Sequence, residues 1–365
     1  KTLEGGLTEI NLTPAVASLL RDRKVNAYVI QGHGETPLTG GKSNLEEAVT
    51  ELKKRDFNVS VLNLIEQKQI PEDADVLVIP GPKRPFLDSE VKLLSAYLQQ
   101  GKGMLIMLDP GAKPDQKSMG LDPILKEWGV QLDGRIVVDA SGSGQMLGLG
   151  PAIPLVTQYG DHPITKDFAQ GPSFYPLAQA ITVKPPSPEE KSTELIRTNP
   201  QSWAEGDPNQ EKLQFDAKLD RQGPLTLGVA MTKQITPDLS TQTPDSNVSP
   251  SPAPLASTPN PEPSKSATAP SGNESKREAK LVIIGDSDFP TVANPQVLNS
   301  DLFLNTVTWL GSGQDDPSLS IRPKELKDRR IEMSQGHWRT LILVGLGFLP
   351  VAAFGSAAYL WWKRR

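Results

Sequence analysis

Six side chains with the chemistry of active or binding sites follow predicted buried strands of the chain. They are His33, Glu35, Asp109, Asp286, Ser287 and Asp288. Imidazole and carboxylate groups can transfer protons, and paired carboxylates such as Asp286 and Asp288 can hold a hard cation through their oxygens. We treat the six as a candidate ligand rim. The structural alternative, which we favour, is that Asp286 and Ser287 cap the next helix or turn.

Other kinds of site are disfavoured by the sequence. The chain has no cysteine, so thiolate ligands and a thiol nucleophile are excluded, and its three histidines are too few for a multi-histidine zinc site. The phosphate-binding patterns GxGxxG and GxxxxGK[ST] are missing, and so is the GxSxG nucleophile elbow. A net charge of −5 argues against a nucleic-acid partner. We therefore predict a non-enzymatic protein with no catalytic residue, no cofactor and no metal.

Apolar segments that alternate with amphipathic helices must position the six side chains. Buried strands are predicted at residues 25–30, 58–64, 75–79, 104–108 and 280–284. Asp88 is placed to cap the helix after the third of them. Such strands indicate an α/β fold with a parallel, doubly wound sheet. The loops at the carboxyl ends of its strands, 32–35, 80–82, 109–110 and 285–288, should meet at one edge.

Composition divides the chain into seven segments. A strand–helix unit cannot bury its own apolar faces, so the unit after the Pro/Ser/Thr-rich stretch is predicted to return to the first sheet. The predicted segments are 1–135 (first part of the α/β domain), 136–233 (β-rich elaboration), 234–278 (disordered linker), 279–320 (unit completing the domain), 321–339 (juxtamembrane), 340–362 (transmembrane helix) and 363–365 (basic tail).

The predicted transmembrane helix carries no formal charge and is long enough to cross a hydrocarbon core of about 30 Å. Aromatic residues flank it on both sides, and the basic tail ends it, which is typical of a helix in a lipid bilayer. The alternative is a buried core helix. Basic residues lie on both flanks, so charge alone leaves the orientation undecided. Because Lys1 opens on what reads as the middle of a domain, we expect a segment to precede it.

Several segments, taken in order, resemble one protein family. They are VIQGHGE, DVLVIPGPKRPF, SEVKLLSAYLQQGKGMLIMLDP, GDSDF, NSDLFLNTVTWL and the terminal WWKRR. Apart from the linker, residues 3–365 resemble the GldG family, the auxiliary components of gliding-motility-type ABC transporters. The resemblance implies a flavodoxin-like or glutamine-amidotransferase-like domain related to one in intraflagellar transport proteins. It also implies an extracytoplasmic globular part between two transmembrane helices in the cell inner membrane, with an ABC permease and an ATPase as partners.

Three hypotheses follow for function. The first is a non-enzymatic, membrane-anchored auxiliary subunit of an ABC transporter that presents an extracytoplasmic recognition or scaffold domain. The second is a membrane-tethered hydrolase, or a module that binds carbohydrate or peptide, using His33, Glu35, Asp109 and Asp286. It requires a concave rim with at least two of these groups within hydrogen-bond reach. The third is a purely structural scaffold, favoured if the chain's own loops fill the rim.

Overall fold

The computed structural model describes residues 23–40, 44–111, 118–144, 148–168, 171–185, 187–208, 213–235, 277–291, 297–312, 347 and 349–365. Those between residues 23 and 312 belong to one unit, which is built around a large mixed sheet. Residues 349–365 belong to a second unit, which is described by itself below.

Five parallel strands form one half of the sheet. They are β1 (Val25–Ile30), β2 (Phe57–Leu62), β3 (Val76–Pro80), β4 (Gly103–Met107) and β14 (Arg277–Ile284). Their spatial order is β14-β4-β3-β1-β2, and each neighbouring pair is parallel. β3 and β4 are buried along their whole length, as expected for nearly continuous apolar strands between two layers of helices. The carboxyl ends of all five strands therefore lie at one edge.

Five helices accompany these strands. They are α1 (Glu46–Lys54), α2 (Leu64–Gln67), α3 (Asp88–Gln99), α4 (Asp122–Glu127) and α5 (Asn299–Gly311). Apolar residues of α1 and α5 pack on one face of the sheet with Val78 and Leu105. Those of α3 and α4 pack on the other face with Ile79 and Ile106. Successive residues of a strand point to opposite faces, so one apolar strand supplies both cores. The predicted doubly wound arrangement is present in this half.

The other half of the sheet is antiparallel. Its strands are β5 (Val130–Asp139), β7 (Gln158–Tyr159), β9 (Gln179–Val183), β10 (Glu190–Arg197), β11 (Ser202–Glu205), β12 (Arg221–Gln222) and β13 (Thr226–Ile235). A separate pair contains β6 (Leu155–Val156) and β8 (Ser173–Phe174). β13 pairs with β14 from Gly228 to Ile235, so the region predicted as a β-rich elaboration continues the parallel half in one sheet.

The ends of β13 and β14 enclose the predicted linker. β13 runs to Ile235 and β14 begins at Arg277, so two residues at each end of the predicted range 234–278 lie in strands. Residues 236–276 are outside the described part of the chain. β14 lies between β4 and β13, which places the segment after the linker inside the same sheet as the segments before it.

The second unit contains one described helix, α6 (Leu349–Lys363), which is 15 residues long. Among the helices that the structure describes, none has both the length and the apolar character needed to cross a membrane. The predicted span 340–362 starts in residues outside the described part, namely 340–346, and residue 348 is outside it as well. The transmembrane helix therefore stays a prediction, as does the juxtamembrane segment 321–339.

Candidate functional site

The six predicted rim residues lie at the carboxyl edge of the parallel strands. His33 and Glu35 follow β1, Asp109 follows β4, and Asp286, Ser287 and Asp288 follow β14. The strands β14, β4, β3 and β1 are consecutive neighbours, so the loops after them converge at this edge. The side chains fall into two adjacent groups, one around His33 and one around Asp109.

His33 is the centre of the first group and is only 3% exposed. Its ring stacks on Phe86, with the ring centroids 4.1 Å apart. Its backbone N–H donates to Glu35 Oε2 at 2.7 Å, and its Nδ1 lies 3.3 Å from Glu35 Oε1 without the alignment of a hydrogen bond. On the other side, Nε2 is 3.0 Å from Glu90 Oε2. The imidazole is therefore held between two buried carboxylates.

Glu90 was missed by the sequence analysis, which placed the cap of its helix at Asp88. The helix begins with Asp88 in its first turn and Leu87 at the N-cap position. Glu90 Oε2 accepts the Leu87 backbone N–H at 2.8 Å, as the third helical residue does in a capping box. The same oxygen contacts His33, so one carboxylate serves the helix and the rim. The sequence signature of a capping box is missing, because Leu87 stands where a Ser or Thr would be expected three residues before the Glu.

The His33 contacts set a limit on how protons are distributed. A neutral imidazole has one N–H donor and one acceptor nitrogen, whereas an ionised carboxylate only accepts. If Nε2 donates to Glu90, then Nδ1 faces Glu35 Oε1 as a second acceptor. In that tautomer the contact between Nδ1 and Oε1 joins two acceptors, and neither atom has a hydrogen-bond partner among the described residues.

Asp109 is the centre of the second group. Its Oδ1 accepts the Ser287 backbone N–H and its Oδ2 accepts the Ser287 hydroxyl, both at 2.7 Å. Lys83 Nζ also donates to Oδ2. The backbone N–H groups of Lys83 and Arg84 donate to the His33 carbonyl at 2.9 and 3.0 Å. Lys83 thereby connects the two groups, although the sequence analysis did not single it out.

The close approach of these loops requires glycine at position 81. Gly81 has a left-handed φ of +68°, and its N–H donates to the Met107 carbonyl at 3.0 Å. A Cβ at this position would lie 2.2 Å from Ser287 Oγ, well inside van der Waals contact. The Pro-Gly-Pro sequence at the end of β3 therefore allows the loop after β14 to lie directly against the loop after β3.

Asp286 and Asp288 shape the turn after β14. Asp286 Oδ1 accepts the Asp288 backbone N–H at 2.7 Å, while its Oδ2 has no hydrogen-bond partner among the described residues. Burial raises the pKa of the Asp286 carboxyl well above its usual range, and the charge of Asp109 raises it further. Burial and Asp109 also raise the pKa of the half-buried Asp288, against the opposing effect of Lys83.

Gln179 closes the rim from the antiparallel half of the sheet. It is fully buried, and its Nε2 donates to the carbonyls of Leu108 and Asp109, both at 2.9 Å. Its Oε1 accepts the Gly134 N–H at 3.1 Å, and its own N–H donates to the Gly285 carbonyl at 2.7 Å. The end of β4 is thus covered by β9. Sequence patterns gave no sign of this residue, because its role depends on how the two halves of the sheet meet.

The geometry supports a packed polar junction better than an open active site. Within the described ranges, no group of three or more His, Asp or Glu side chains is placed to hold a metal ion. Two surface cavities, of about 370 and 410 Å³, are lined by other residues than the six. His33 and Glu35 do lie within hydrogen-bond reach, but both are buried. Some polar groups of the rim bond to one another, but four buried atoms have no hydrogen-bond partner among the described residues, namely His33 Nδ1, Glu35 Oε1, Glu90 Oε1 and Asp286 Oδ2.

Comparison with known proteins gives one family match. The sequence model of a family described as an ABC-type uncharacterized transport system matches residues 24–308. Comparison with curated proteins gives no match. Among solved structures, the chain is similar to one titled "mmIFT52 N-terminal domain", with 15% identity and a TM-score of 0.49 over 79% of this chain and 98% of that one. The family match spans every described strand of the central sheet.

The buried carboxyl of Asp286 should make stability depend on pH. A raised pKa in the folded state means that the stabilisation from protonated Asp286 is complete below the unfolded value of about 3.9 and is lost as pH rises through the folded pKa. Asp286→Asn keeps an oxygen for the Asp288 N–H but cannot ionise. The measured quantity is the free energy of unfolding of Asp286→Asn minus that of the unchanged chain. We expect this difference to increase with pH above about pH 4, by at most about 1.4 kcal/mol per pH unit. Urea titrations at several pH values measure this difference.

The matched control is Thr306→Val, because Thr306 is fully buried and its hydroxyl is also without a partner among the described residues. This change removes an unpaired polar atom that does not ionise, so its effect should be the same at each pH. A pH-independent difference for Asp286→Asn as well would contradict the assignment of a raised pKa.

Proposed function

The chain belongs to the family of auxiliary components of ABC-type uncharacterized transport systems, and on that premise we propose that it is a non-enzymatic, membrane-anchored subunit of an ABC transporter. The observation that carries the proposal is the family match over residues 24–308, which includes all fourteen described strands. Membership of this family is consistent with a role that is not enzymatic. The protein would contribute a rigid α/β domain for recognition or scaffolding.

The packing of the rim supports a role without chemistry. A general acid or base must come within about 3 Å of the proton that it transfers, directly or through one water. His33, Glu35 and Glu90 are each at most 6% exposed, and Asp286 is fully buried. Asp109 is 21% exposed, but its oxygens are already bonded to Ser287 and Lys83. A substrate would have to displace these contacts before it reached the groups.

The partners in this proposal are a permease and an ATPase. The sequence lacks a phosphate-binding loop of the GxxxxGK[ST] type, so nucleotide hydrolysis for the transport system has to come from another subunit. The resemblance to the GldG family also implies a permease as a partner. The chain would therefore act beside a separate multi-span protein.

The anchor and the location of the α/β domain are the finer parts of the proposal. They are supported by the uncharged segment 340–362, by its aromatic and basic flanks and by the resemblance to the GldG family. We place the anchor in the cell inner membrane. The α/β domain would then lie outside the cytoplasm, with the basic tail 363–365 on the cytoplasmic side.

Affinity purification tests the proposed subunit role. The tagged full chain, extracted from membranes with a mild detergent, should bring down a multi-span permease and an ATPase that contains a phosphate-binding loop. A matched variant that ends at Arg339 lacks the predicted anchor and should appear in the aqueous fraction without detergent. The proposal fails if the full chain always purifies alone, or if it too is released without detergent.

Cysteine labelling tests on which side of the membrane the domain lies. The chain has no cysteine, so a single substitution reports one position. Leu177 is 50% exposed, and Leu177→Cys should react with a membrane-impermeant maleimide in spheroplasts with an intact inner membrane. Arg365→Cys, on the basic tail, should react only after permeabilisation. The reverse pattern would place the domain in the cytoplasm.

A further inference from the structure

The segment 160–168 covers the C-terminal half of α5. Ile164 and Phe168 of this segment are at most 1% exposed and belong to the same apolar cluster as Trp309 of α5. The side chain of Asn305, also on α5, donates to the Ile164 carbonyl at 3.0 Å. The segment therefore shields apolar side chains of the helix that precedes the predicted juxtamembrane segment.

His162 lies at the contact between this segment and α5. Its ring makes a T-shaped contact with the Trp309 ring, with the centroids 4.8 Å apart. Its Nδ1 accepts the backbone N–H of Ile164 at 3.2 Å, and its carbonyl accepts the N–H groups of Thr165 and Lys166, both at 2.9 Å. A ring nitrogen that accepts a hydrogen bond carries no proton, so the contact with Ile164 requires the neutral imidazole.

The surroundings of His162 oppose a positive charge on its ring. The Lys280 ammonium, from β14, lies 5.1 Å from the centroid of the same Trp309 ring, and Lys280 is only 7% exposed. The pKa of His162 is lowered to about 4, first by burial and then by the charge of Lys280, against the opposing effect of Asp161. From α5 the ring meets Trp309, which does not titrate.

We propose that His162 is an acid-sensitive latch, which holds the segment 160–168 on α5 while its ring is neutral and releases the segment when the ring gains a proton. The added proton occupies Nδ1, so the Ile164 N–H loses its acceptor. It also places a second cation near Lys280. Release exposes the apolar side chains that the segment and α5 bury against each other. The inference does not depend on the transporter assignment.

The segment can open without disturbing the central sheet. Residues 160–168 form bends and turns, with no helix or strand. Several of their hydrogen bonds are internal, such as those from the Phe168 N–H to the Thr165 carbonyl and from the Thr165 hydroxyl to the Gly160 carbonyl. Such segments open at a lower free energy than the strands of a core. Release of the latch is therefore a local event.

The direction of the pH effect follows from the lowered pKa of His162. A histidine in an unfolded segment has a pKa of about 6.5, so between about pH 6.5 and pH 4 the released segment binds a proton that the packed segment excludes. The packed state keeps its full stability above about pH 6.5 and loses it as pH falls towards 4. The buried Asp286 has the opposite pH dependence, so the readout has to be local.

Amide hydrogen exchange of the full chain in mild detergent measures this opening. Rates are compared at pH 7.5 and pH 5, after correction for the effect of pH on exchange in unstructured peptides. Protection of the N–H groups of Ile164, Thr165 and Lys166 should fall by up to about thirtyfold at pH 5. The amides of β3 should keep their protection.

His162→Asn is the matched variant. Asparagine can accept the N–H two residues on through its side-chain oxygen, as His162 Nδ1 does, but it does not ionise. Protection of the segment in this variant should be equal at the two pH values. Asp161→Asn, at an exposed position, removes the charge that favours a proton on His162. Imidazole NMR signals should show His162 titrating well below pH 6.5 in the unchanged chain, and at a still lower pH in Asp161→Asn.

Four results would overturn the proposal. They are equal protection of the segment at both pH values in the unchanged chain, the same fall in His162→Asn, an equal fall in β3, and titration of His162 near pH 6.5. A fall in β3 would make the effect a general loss of stability instead of a local release.

Discussion

The contact between Asp109 and Ser287 holds together the carboxyl edge of the parallel strands. One carboxylate, 21% exposed, accepts a backbone N–H and a hydroxyl from the loop after β14 and an ammonium from the loop after β3. Hydrogen bonds to a charged group contribute about 1.5–3 kcal/mol each. The charge of Asp109 also raises the pKa of the buried Asp286 carboxyl, so these bonds offset an unfavourable interaction between the two side chains. The loop after β3 reaches this position because Gly81 leaves no Cβ to collide with Ser287.

This junction occupies the edge of the sheet where many α/β proteins bind their ligands. In open α/β sheets, ligands bind where the loops diverge at the carboxyl edge. In this domain the loops converge instead, and Gln179 from β9 bonds to the carbonyls at the end of β4. The edge that serves many proteins as an active site thus joins the two halves of one sheet.

The sequence predicted the parallel half well because each of its features is local. Apolar runs such as Met104 to Met107 have few alternatives to a buried strand, and the edge at which His33, Asp109 and Ser287 meet follows from strand direction alone. Features that depend on distant contacts were not predictable. Gln179 lies 70 residues from Asp109 in sequence, and nothing in its neighbourhood marks it. Glu90 lay on a predicted helix, but its contact with His33 needed the three-dimensional path of the loop after β3.

If the chain's own loops fill the carboxyl edge of the parallel strands, the backbone N–H groups of these loops should be protected from solvent. Amide hydrogen exchange at the loops, measured by mass spectrometry or NMR, tests this most directly. The N–H groups of Lys83, Ser287 and Asp288 are bonded to His33, Asp109 and Asp286. They should exchange at least about a hundredfold more slowly than in unstructured peptides, close to the rates of the adjoining ends of β4 and β14. If these loop amides exchanged at the unstructured rate while the strands stayed protected, the edge would be open and available to a ligand, which would contradict a scaffold role for the rim.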